Sequence, residues 1–168
     1  MHDFAAMLEG GTVVGANAVG RWKGNAVSVS FFGRLDPPVF LTGVTAARRA
    51  SPFVAVLLPR EADQRVPAID GGSELQRQFP LAGCAPRDLF GLFANAPTVA
   101  LLDSLTDTEV EVLTDCVNVQ RREILDDVTQ LRPLLDAAAQ LAGRMEEIHA
   151  EVAGQTTEEG ERRMTEVR

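Results

Sequence analysis

Val14-Gly15-Ala16-Asn17-Ala18-Val19-Gly20-Arg21-Trp22-Lys23-Gly24-Asn25-Ala26-Val27-Ser28-Val29-Ser30-Phe31 is the stretch that decides the fold class. Successive side chains of a strand point to opposite sides. In the first half, Val14, Ala16, Ala18, Gly20 and Trp22 therefore share one face, with Asn17 and Arg21 on the other. In the second half, Val27, Val29 and Phe31 alternate with Ser28 and Ser30. Lys23-Gly24-Asn25 supplies the turn. The pattern predicts an antiparallel hairpin with one buried and one wetted face.

Working outward, Phe4, Met7 and Leu8 stand at i, i+3 and i+4 in a short amphipathic helix over 3–9, ended by Gly10-Gly11. Downstream, Asp36-Pro37-Pro38 breaks the strand, because proline cannot donate to a ladder. Strands are predicted over Val39–Thr45 and Phe53–Leu58; the second is apolar on both faces and so is expected centrally in the sheet. Pro59 to Gly72 reads as loop, and Gln78 to Leu81 as a brief extended return.

The second half turns helical. Leu89, Phe90, Leu92 and Phe93 form one apolar stripe and Val99, Leu101, Leu102 and Leu105 another, parted by Asn95-Ala96-Pro97. A second hairpin follows, with Val110 and Val112 against Val117 and Val119 and a turn near Thr114-Asp115. Its alternation assigns Glu109 and Glu111 to solvent. A long helix then ends near Ala153-Gly154, carrying Leu131, Leu134, Ala138, Leu141, Met145, Ile148 and Val152 at steps of three and four. Pro133 either follows a separate turn or falls in the helix's first turn. Gln155–Arg168 is polar and is expected to be a disordered tail. Strands segregated from helices point to an α+β fold: an antiparallel sheet of hairpins covered by helices, with a long C-terminal helix. Residues 1–154 are expected as one domain and 155–168 as the tail.

Composition narrows the function. The 168 residues are 45% hydrophobic and 24% charged, which excludes a disordered chain. No apolar run approaches the ~20 residues that cross a bilayer, and Met1-His2-Asp3-Phe4 lacks a basic leader, so a cytoplasmic chain without membrane contact is expected. A net charge of -8 has the wrong sign for a nucleic-acid binder, which draws its affinity from Lys and Arg on phosphates. Cys84, Cys116, His2 and His149 do not assemble a metal set, and no metal or cofactor is expected. The glycines of 10–20 open a strand rather than a helix and lack Gly-Lys-Ser/Thr, so they read as strand glycines.

Catalytic constellations are weak. Asp126-Asp127 suits a helix start, Glu146 and Glu147 lie off the stripe, and neither histidine stands near a nucleophile motif. No catalytic residue is assigned. An alternative is a small enzyme with a loop-built site near Asp70–Glu74 and Arg48-Arg49. The main expectation is a non-catalytic protein-binding or adaptor module. Its candidate surface is Leu134, Leu141, Met145, Ile148 and Val152, serving a protein partner or self-association through the last helix.

The stretch Ile69-Asp70-Gly71-Gly72-Ser73-Glu74-Leu75-Gln76-Arg77-Gln78-Phe79, followed by a helical pair, a hairpin and Leu131–Ala142, resembles a family of bacterial α+β domains of unknown function. The family's usual pattern there is Gly-x-x-x-Phe-Asp-x-x-Phe; Leu75 and Gln76 stand in place of its Phe-Asp. The resemblance covers about half the chain and implies a fold but no activity. In element order, acidity and size the chain is also similar to class I type III secretion chaperones, which would imply a chaperone-like binding protein.

Overall fold

The computed structural model describes residues 1–35, 38–49, 55–57, 81–82, 95–105 and 107–166. Helix α1 (His2–Met7) leads into strands β1 (Glu9–Val14), β2 (Asn17–Trp22), β3 (Asn25–Leu35) and β4 (Pro38–Ala47). Two short strands follow, β5 (Ala55–Leu57) and β6 (Leu81–Ala82). Helix α2 (Ala96–Ser104), strands β7 (Thr108–Val112) and β8 (Cys116–Arg121), and helix α3 (Val128–Glu166) complete the order. The strands form one antiparallel sheet in the order β1-β2-β3-β4-β8-β7-β5-β6. The chain is thus α+β, with hairpins and a long C-terminal helix as the alternation predicts.

The opening stretch contains two hairpins rather than one. Val14 pairs with Asn17 around Gly15-Ala16, and Trp22 pairs with Asn25 around Lys23-Gly24. Gly15 turns the chain at φ +61°, a conformation its missing Cβ permits, so the strand expected to run from Val14 to Trp22 is split. In the second turn both central residues have positive φ, 49° at Lys23 and 84° at Gly24. That is the type I′ geometry, whose twist matches that of the flanking strands.

The second predicted hairpin closes with Val112 opposite Val117. The strand Ala55–Leu57 is hydrogen-bonded on both sides, by β6 and β7, yet it lies second from the sheet's edge rather than at its centre. Pro59–Gly72, Gln78–Pro80 and Leu89–Phe93 lie outside the described residues.

One sheet face carries Val27, Val29, Val44, Ala46, Val110, Val112, Val117 and Val119, all buried. Helix α3 covers it with Leu131, Leu134, Leu135, Leu141, Met145 and Ile148, and with Ala137, Ala138 and Ala142, whose short side chains let the helix lie close. Each fully buried Leu or Val contributes about 1.5–3 kcal/mol of transfer free energy. Helix α1 adds Phe4 and Ala5, and Leu8 follows just after it, the Phe4 ring meeting Phe31 edge-on at 5.7 Å.

Asp127 begins α3 as an N-cap: its Oδ1 accepts the Thr129 N–H at 2.7 Å. That bond holds the Asp127 carboxyl below the usual carboxylate range. Pro133 stands at the sixth helical residue, beyond the first turn, and α3 is continuous through it. The missing N–H there removes one bond, to the Thr129 carbonyl, while the flanking leucines are held in the core. The helix also runs on to Glu166 where a disordered tail is expected. Glu158 precedes Arg162, and Glu159 precedes Arg163, by four residues, the order that favours a helix.

Candidate functional site

The β2–β3 turn brings Trp22 and Lys23 over the first turns of α3. Left-handed Lys23 sets its ammonium 2.9 Å from Asp136 Oδ1. The Trp22 indole N–H donates to the same oxygen at 2.8 Å. One helical turn before Asp136, the Arg132 guanidinium stacks over the Trp22 ring, 5.7 Å from its centroid. With Glu9 from β1, these residues line an open cleft of about 360 Å³.

Burial works to raise the Asp136 pKa. The hydrogen bonds from Lys23 and Trp22 and the charges of Lys23 and Arg132 outweigh it, so the carboxyl stays below the usual carboxylate range. Lys23 is 66% exposed and Asp136 30%, so the ion pair sits at a rim where water still screens it. The cleft thus offers an aromatic surface between two cations and two carboxylates, which suits holding a partner by contact and charge.

None of this was legible as a cluster in the sequence. Trp22 and Asp136 are 114 residues apart, and local sequence marks Lys23 only as a turn residue. The available signal was that the chain's single tryptophan and single lysine are neighbours at a turn.

The residues expected to form an interaction surface lie elsewhere. Leu134, Leu141, Met145 and Ile148 are at most 4% exposed and belong to the core under α3. The sheet is wide enough for the stripe to find its partner within the chain. The side chain of Val152 lies outside the described residues, and continuing the same step reaches Gln155, Glu159 and Arg162.

The opposite sheet face carries a polar ladder. Glu111 Oε2 accepts from Asn118 Nδ2 at 2.9 Å and from Gln120 Nε2 at 2.7 Å, and the Thr45 hydroxyl donates to Asn118 Oδ1 at 3.3 Å. Glu109, expected in solvent, is only 5% exposed, and Gln120 opposite it 3%. Alternation tells which face a residue takes, but not whether that face is covered.

At the end of β4, Arg48 is 9% exposed and closes the β7–β8 turn. Its Nε donates to the Leu113 carbonyl at 2.9 Å, and its backbone N–H to the Asp115 carbonyl at 2.8 Å. Burial lowers the Arg48 pKa, opposed by Cys116, Glu146 and Asp115. The Arg49 backbone N–H donates to Glu146 Oε1, tying the same corner to α3. Arg48 therefore has a structural position, and Asp70–Glu74, its expected companion in a loop-built site, lies outside the described residues. Burial, then Asp115, pushes the Cys116 thiol up, which disfavours the thiolate.

Among the described residues, no three His, Cys, Asp or Glu side chains gather as a metal site, and no helix is long and apolar enough to cross a membrane. Compared with known protein families, curated proteins and solved structures, the chain matches none.

Proposed function

We propose that this protein is a binding module that recognises a protein partner through the Trp22–Arg132 cleft and not through the stripe of its last helix. The observation that carries the reading is the Arg132 guanidinium stacked on Trp22 at an open rim, with the indole N–H already tied to Asp136. Tryptophan and arginine dominate the energetics of protein interfaces, and a ring pinned from below loses little freedom on binding. With a net charge of -8, a protein suits this surface better than a nucleic acid. The reading places the protein in the cytoplasm, where a free Cys116 with a raised pKa stays reduced.

The test compares wild type and Arg132→Ala as immobilised baits, with proteins identified by mass spectrometry. Arg132 is exposed, so its truncation leaves the fold intact. A specific protein retained by wild type and lost by Arg132→Ala is the expected result. Identical captures by the two baits would refute the cleft as the binding surface.

A further inference from the structure

We infer that the partner seated on this cleft is the same cleft of a second copy of the chain, related by a two-fold axis. The inference deepens the binding-module reading and rests on it. Lys23 and Asp136 form an ion pair at 2.9 Å, and Arg132 acts on Asp136 by charge alone, outside ion-pair distance. What the cleft still presents is one acid, Glu9, from the sheet edge, and one base, Arg132, from α3. Among the described residues neither of these two has an ion-pair partner, and they do not pair with each other.

One exposed acid and one exposed base on a single patch, neither of them in an ion pair, form a self-complementary set. A two-fold rotation places each Glu9 against the other copy's Arg132, so both charges are matched twice with no third component. A different partner would have to bring both signs in the right places, whereas a second copy brings them by symmetry. Beyond Glu9, strand β1 reads Gly10-Gly11-Thr12-Val13-Val14 and carries no charge that would oppose its own image. That strand is exposed at all positions but Val13, and it pairs only with β2 among the described strands. The half-buried Trp22 ring, packed on the core, carries Arg132 beside the two charge pairs. Each monomer thus holds half of the site.

The experiment uses the full chain in native mass spectrometry and light scattering. Wild type is expected to be a dimer. Arg132→Glu and Glu9→Arg, each of which sets like charges across the axis, are expected to weaken association tenfold or more. Mixing these two variants should yield a one-to-one heterodimer, and the doubly exchanged chain should dimerise again. Far-ultraviolet circular dichroism confirms that each variant is folded. A wild type that is monomeric up to about 100 µM overturns the inference, as does a dimer that neither substitution weakens or a folded mixture that forms no heterodimer. If wild type is monomeric while Arg132→Ala still loses a captured protein, the second copy is wrong and the binding module stands. If that capture is also unaffected, both fail.

Discussion

Asp136 is the residue on which the cleft depends, because two donors from the β2–β3 turn converge on its Oδ1. Asp136→Ala leaves the indole N–H and the Lys23 ammonium without that acceptor. We expect a loss of about 1–3 kcal/mol in urea unfolding, together with a shift in the emission of the single tryptophan. The pH dependence has a definite sign. The folded-state pKa of Asp136 is lowered, so its contribution is present above the unfolded carboxylate pKa of about 3.9 and is lost as pH falls through the lower folded value. Wild type should lose stability relative to Asp136→Asn over that acidic window, and parallel acid-unfolding curves would contradict the assignment. Gly11 is a second decisive position: a Cβ there would lie 1.8 Å from the Ala5 carbonyl oxygen, where α1 crosses β1. Gly11→Ala should destabilise by about 3 kcal/mol, measured by thermal denaturation, because the obstruction is backbone and cannot rotate aside.

At the scale of elements, the repeat along α3 was legible because a helix returns every 3.6 residues. Its destination was not, since an apolar stripe has the same spacing whether it meets its own sheet or another chain. Leu141 distinguishes the two. It is 0% exposed, so Leu141→Ala should cost about 2–5 kcal/mol of stability in chemical denaturation of the purified chain. An interface residue would instead weaken association and change unfolding only in a concentration-dependent way. The alternation of Val110, Val112, Val117 and Val119 locates the β7–β8 hairpin and its turn, but not the burial of Glu109, which depends on what lies over the face. The joint between β8 and α3 was likewise hidden. Thr42, 0% exposed, donates to the Glu123 carbonyl at 2.7 Å and accepts the Leu125 N–H at 2.9 Å, across more than 80 residues of chain. Thr42→Val should cost about 1–3 kcal/mol in the same assay, because both backbone groups lose their partner.

For the whole molecule, the sheet and α3 from Leu131 to Ile148 share one hydrophobic cluster. The cleft is a property of the same scale. It needs Glu9 from the sheet edge and Trp22 and Lys23 from the next strand and its turn, joined by Arg132 and Asp136 from the last helix, more than 100 residues further along the chain.

The amino-acid order by itself determined the α+β class, the antiparallel hairpins and the amphipathic last helix. Each follows from backbone periodicity over fewer than about 20 residues, where side-chain direction is dictated by local geometry. Tertiary structure alone decided that Leu134, Leu141, Met145 and Ile148 are core, that Glu109 is covered, and that Trp22, Arg132 and Asp136 meet. Burial and convergence depend on which distant segment packs on a face, and a local pattern of polar and apolar residues does not encode that choice.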